Sequence, residues 1–162
     1  PAPADDAPSR HAGVSIVTSL RGPRFVDRRL GDDDILMGHL KVRTRHGRER
    51  IPIGRAGAHL GLLLGRYSRC EPHSRGIIRD HQVSRVHVLL VRIDGELWAV
   101  DTASTNGMQL DVEGEPDVAI HRLDGEQSLY VAGFVARLDW VPAARGLAAL
   151  PGDSPGGQAA AN

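Results

Sequence analysis

The stretch VHVLLVRI at 86–93 runs into Asp94-Gly95 and then into ELWAVD at 96–101. Two apolar runs separated by Asp-Gly form a strong hairpin signal, because both turn positions favour positive φ. The same grammar recurs along the chain. HLKVRT (39–44) alternates apolar and polar residues, HGRE makes a turn, and RIPIG (50–54) follows. HLGLLLG (59–65) reads as a further strand. A second Asp-Gly, at 124–125, precedes SLYVAGFVARLDW (128–140), which reads as two strands bent at Gly133. No window of helical length shows clean 3.6-residue periodicity. Short strands with turns every eight to twelve residues imply an all-β chain, a β-sandwich or barrel.

The chain has 162 residues, enough for one domain plus tails. Only six residues are aromatic, so the core must rest on Leu, Val and Ile. PAPADDAPSRHAG (1–13) and the C-terminal 142–162 are rich in Pro, Ala and Gly and read as disordered tails. Residues 14–37 form an N-terminal extension without a defined role. Within it, 14–20 reads as a short strand and 21–34 as a charged loop. The domain proper is expected over 38–141. Pro1 in place of Met is expected of a processed chain or of a piece of a longer one. One cysteine, Cys70, cannot form an internal disulfide, which points to a reducing, cytoplasmic compartment. The chain holds no apolar run of membrane-spanning length and no signal segment.

Formal net charge is zero, yet it is unevenly distributed. Residues 41–92 hold twelve Lys or Arg against three Asp or Glu, and residues 93–140 hold two against ten. A basic half suits anions, phosphate included. Interleaving of the two halves in one fold would neutralise it, so charge alone leaves the question open.

Three inter-strand segments carry specific residues. Gly65-Arg66 follows LLL. Ser84-Arg85-Val86-His87 precedes VLLVRI. Asp101-Thr102-Ala103-Ser104-Thr105-Asn106-Gly107 follows ELWAV. GR, then SRxH, then D-x-x-S-x-N-G, then LDGEQSLYVAG, in that order, resembles the forkhead-associated (FHA) domain over roughly residues 38–140. Glu126 stands where that family more usually has Asp. The segment between Arg66 and Ser84, with Cys70 and His73, is a few residues longer than in the family and lacks its Asn-Asp. Gly76-Ile77-Ile78 stand where an apolar strand is expected.

The resemblance implies two packed, twisted antiparallel sheets whose loops at one end bind a phosphothreonine peptide. It implies no catalysis, cofactor or metal. Partners would be a phosphothreonine-bearing protein and a Ser/Thr kinase, with no membrane and nucleic acid disfavoured. Physical chemistry gives the residues matching parts. Arg66 offers a planar fork of donors to two phosphate oxygens at once. Ser84 offers a hydroxyl, and Thr105 a hydroxyl or its backbone N–H. Asn106 suits a bound peptide's main chain. Arg85 is open between ligand contact and an ion pair with an acid such as Asp101.

Gly65, His87 and Gly107 read as support for the site. Gly65 lets the strand turn, His87 braces the loops, and Gly107 is the positive-φ half of an Asn-Gly turn. Trp98 and Trp140 read as packing. Ser84 near His87 invites a hydrolase reading, but the G-x-S-x-G elbow is missing. C-x-x-H at Cys70 and His73 is too little for a zinc site. The alternative to phosphopeptide binding is a phosphate-independent scaffold or nucleic-acid contact through the basic surface.

Overall fold

The computed structural model describes residues 22–66, 77–112 and 114–144. The expected tail 1–13, the strand-like 14–20, Cys70 and His73, and the C-terminal residues from 145 onward lie outside the described residues. Among the described residues, ten strands and one short helix follow in chain order: β1 Arg24–Phe25, β2 Leu36–Thr44, β3 Gly47–Gly54, α1 Arg55–Leu60, β4 Leu62–Leu64, β5 Val88–Ile93, β6 Glu96–Asp101, β7 Met108–Leu110, β8 Ile120–Leu123, β9 Leu129–Val131 and β10 Ala136–Pro142. They form two five-stranded sheets, ordered β1-β4-β5-β6-β8 and β3-β2-β10-β9-β7. Every pairing is antiparallel except β1 with β4, which is parallel and departs from the all-antiparallel expectation.

The period-2 alternation decides which side chains face inward. Leu40 and Val42 of β2, Ile51 and Ile53 of β3, and Leu138 and Trp140 of β10 are buried in one sheet. They meet Leu64, Val88, Leu90, Leu97 and Ala99 of the other, in a single apolar core. The β5–β6 hairpin turns on Asp94 (φ 51°) and Gly95 (φ 85°), as its Asp-Gly requires. SLYVAGFVARLDW divides into β9 and β10, reversing through Ala132, Gly133 and Phe134, all with positive φ.

Two local expectations fail. HLGLLLG is not one strand: α1 occupies Arg55–Leu60, Gly61 (φ 97°) ends it, and β4 holds only Leu62–Leu64. The helix is held from outside, since Ala56 and Gly57 donate their N–H groups to the Asp34 carboxylate at 2.8 and 3.0 Å. No periodicity argument detects a six-residue helix capped by a residue twenty positions away. Ile77 and Ile78 form no strand either. Ile78 is fully buried and plugs the core from a loop.

Residues 22–37, which have no evident role in the sequence, are tied to the domain. Arg24 and Phe25 pair with Leu62 and Leu63. Arg28 grips both carboxylate oxygens of Glu49 at 2.7 Å. Asp34 caps α1.

Candidate functional site

Three strand ends meet at one end of the sandwich: β4 at Gly65-Arg66, the segment 80–87 entering β5, and the 102–107 loop leaving β6. A tight turn shapes the approach to Ser84. Val83 donates its N–H to the Asp80 carbonyl at 3.1 Å, and Gln82 donates to Asp80 Oδ1 at 3.0 Å. Asp80 is only 3 % exposed and pairs with Arg45 of the β2–β3 hairpin at 2.8 Å. The Gln82 N–H, aided by Arg45 and opposed by burial, holds its carboxyl below the ordinary 3.8. The turn leaves two carbonyls, of Gln82 and Val83, as acceptors for neighbouring loops.

His87 is the hub. It is fully buried. Its Nδ1 accepts the Ser84 N–H at 3.0 Å, so Nε2 carries the proton and donates it to the Gly107 carbonyl at 2.8 Å. Its backbone N–H donates to the Leu64 carbonyl at 3.0 Å, and its carbonyl accepts the Thr102 N–H at 3.1 Å. One residue thus fastens all three segments.

The 102–107 loop is built from within. Asp101 Oδ1 accepts the Ser104 N–H at 3.1 Å, and the Ser104 hydroxyl accepts the Gly107 N–H at 3.0 Å. Ala103 (φ 59°) and Gly107 (φ 66°) take left-handed conformations. Neither Asp101 nor Ser104 stands out as a site residue in the sequence, although both belong to the D-x-x-S spacing. Asp80 was also missed; its one sequence signal is the D-x-Q spacing of an Asx turn.

Arg66, Ser84, Arg85, Thr105 and Asn106 all line one open cleft of about 380 Å³. Arg66 donates its backbone N–H to the Ser84 carbonyl at 2.9 Å and Nε to the Val83 carbonyl at 3.3 Å. Its two η nitrogens have no hydrogen-bond partner among the described residues. The Ser84 hydroxyl accepts the Thr105 N–H at 3.1 Å, which leaves its own proton to donate. Thr105 therefore offers its hydroxyl, because its N–H is already used. Asn106 donates Nδ2 to the Gln82 carbonyl at 2.7 Å, which ties two loops together and leaves Oδ1 as an acceptor. Arg85 is exposed at the cleft and makes no ion pair with Asp101. Asp101 is engaged by Ser104 instead.

Space favours glycine at 65, and backbone conformation favours it at 107. A Cβ on Gly65 would run into the Arg85 carbonyl and lie 2.8 Å from the Ser84 carbonyl oxygen. On Gly107 it would lie 2.5 Å from Asp117 Oδ2, in a backbone conformation that already disfavours side chains.

Among the described residues no helix is long and apolar enough to cross a membrane. No protein-family profile matches the chain, and no curated protein matches it. Solved structures do. The Slr1951 protein from Synechocystis sp. aligns with a TM-score of 0.52 at 21 % identity, over 68 % of this chain and 100 % of that one. The FHA domain of CT664 from Chlamydia trachomatis aligns at 0.49 and 19 % identity, over 65 % and 96 %. FHA-1 of Rv1747 from Mycobacterium tuberculosis aligns at 0.45 and 20 % identity, over 64 % and 97 %. Likeness at such identities concerns the fold alone: the two-sheet β-sandwich of this chain is similar to that of the Slr1951 protein.

Proposed function

We propose that the domain is a non-catalytic module that binds phosphothreonine peptides, with the loop cleft as its site. The observation that carries this reading is the anchoring of Arg66. Its Nε donates to a backbone carbonyl, while both terminal nitrogens are without a hydrogen-bond partner among the described residues, at the cleft that Ser84 also lines. A phosphate monoester brings close to two negative charges and three strong acceptors. A held guanidinium can meet two of those oxygens, and the Ser84 hydroxyl and the Thr105 hydroxyl can meet the third. The left-over Oδ1 of Asn106 suits a main-chain N–H of the peptide, and exposed Arg85 adds positive charge at the rim. The order of GR, SRxH and D-x-x-S-x-N-G along the chain supports the same assignment.

The hydrogen bonds around His87 support the absence of catalysis. Its Nδ1 faces the Ser84 N–H and its Nε2 faces a carbonyl, so neither ring nitrogen serves the Ser84 hydroxyl as a base. The physiological partner on this reading is a protein phosphorylated on threonine by a Ser/Thr kinase.

The test is a titration of a phosphothreonine peptide library and its unphosphorylated counterparts. Binding that follows phosphothreonine and collapses in Arg66→Ala supports the reading. Equal binding of both libraries, or indifference to Arg66→Ala, overturns it.

A further inference from the structure

The sheet β3-β2-β10 turns its apolar side chains inward and presents a different chemistry outward. Register places Arg48, Arg43 and Arg137 in one row across the three strands, and Arg50, Lys41 and Asp139 in the next. Neighbouring strands lie roughly 4.8 Å apart, and alternate residues along a strand roughly 6.7 Å apart. Five cations therefore occupy a patch about 10 Å by 7 Å. Asp139 is the one acid in those rows. It accepts from Arg137 at 2.9 Å and lies 3.6 Å from Arg43. Lys41, Arg48 and Arg50 are exposed and form no ion pair among the described residues. Arg50 contacts His39 Nδ1 at 3.1 Å, and burial, then Arg50, holds that imidazole below its ordinary value. Four of the twelve basic residues of 41–92 thus stand on this face, and three of them have no acidic partner among the described residues.

We propose that this face is a second binding surface, separate from the loop cleft, that takes the phosphate backbone of a duplex nucleic acid without reading its bases. Four of the five cations are guanidinium groups, which pair with phosphate oxygens in bidentate fashion. Their spacing is fixed by the sheet. A duplex presents its phosphates at fixed intervals and meets such a grid without being ordered, whereas a flexible acidic peptide must lose conformational entropy to do so. The exposed large apolar residues are Ile35, Leu60, Ile93, Val112, Ile120 and Phe134, and none sits on β2, β3 or β10. The face therefore lacks the apolar anchor that a bilayer-bound surface uses. Tyr130 lies at its edge, under Arg137 and beside Phe134, rather than between the cation rows, so no platform for stacked single-stranded bases exists there.

The full chain is titrated by fluorescence anisotropy with two 20-base-pair duplexes of unrelated sequence across a salt series. Expected are equal affinities for the two and a slope of log K against log salt of about −3, from three unpartnered cations at roughly 0.9 each. The outward-facing double variant Arg48→Gln/Arg50→Gln should keep its circular dichroism and reduce the slope by about 2. Arg66→Ala should leave duplex binding unchanged. The same titration with polyglutamate and with vesicles containing phosphatidylserine supplies the comparison. Duplex binding absent at low salt, unchanged in the double variant, or no tighter than binding to polyglutamate or vesicles overturns the proposal.

Discussion

Thr105 donates its backbone N–H to the Ser84 hydroxyl at 3.1 Å, across 21 positions of sequence. The bond locks the 102–107 loop to the threshold of β5 and orients the Ser84 proton away from Thr105. One hydroxyl thereby ties two loops and keeps its own proton to donate.

Ser84→Ala removes both. A hydrogen bond to a charged group is worth about 1.5–3 kcal/mol, so phosphothreonine-peptide affinity should fall about tenfold to a hundredfold. Calorimetric titration measures this, with circular dichroism to show that the sandwich is retained. Wild-type affinity in a folded variant would remove Ser84 from the site.

His87→Phe keeps an aromatic ring but leaves the Ser84 N–H without its partner and takes one of two donors from the Gly107 carbonyl, which keeps the Ala132 N–H. Orphaned buried polar groups cost about 1–3 kcal/mol each. Urea unfolding should show a stability loss of about 1–3 kcal/mol, with peptide binding weakened in the fraction that remains folded. A loss below about 1 kcal/mol would mean that the two bonds contribute little.

Gly65→Ala tests space rather than conformation, because no left-handed backbone is involved there. The new methyl meets two carbonyl oxygens of the facing loop, which cannot rotate away as a side chain would. Overpacking of this kind costs about 1–3 kcal/mol. Thermal melting should register it, and peptide affinity should drop with it because Ser84 and Arg85 are the residues displaced.

Asp80 gives a pH signature. Its folded carboxyl is held below its ordinary 3.8 chiefly by the Gln82 N–H. A depressed carboxyl contributes stability that is present above the unfolded value and is lost as pH falls through the folded one. Wild-type urea midpoints should therefore hold from pH 7 to about pH 4 and decline below it. Asp124 and Asp139 are shifted the same way, Asp124 mainly by the Glu126 N–H; at Asp139 burial pushes upward but is outweighed together by Ser128, Arg137 and Arg43. Asp80→Asn keeps an acceptor for Gln82 and should flatten this limb in part, not wholly. An unchanged limb in that variant would show that Asp80 does not contribute.

The sequence by itself determined an all-β chain, most of its strands and the three site segments, because these rest on local properties; the choice of sandwich over barrel came from the motif resemblance. Period-2 alternation reports which face is buried, and Asp-Gly reports a left-handed turn, with no knowledge of neighbours. Arg66, Ser84, Arg85, Thr105 and Asn106 were legible as ordered motif residues, and all five line one cleft. Only the tertiary structure decided how their hydrogen bonds are divided. The N–H of Thr105 is spent on Ser84, the amide of Asn106 on Gln82, and Asp101 on Ser104 rather than on Arg85. The first two choices depend on groups more than twenty residues apart arriving at 3.1 and 2.7 Å, which sequence spacing does not encode. The same holds for α1, whose cap comes from Asp34, and for the cationic face, where register between β2, β3 and β10 aligns residues almost ninety positions apart.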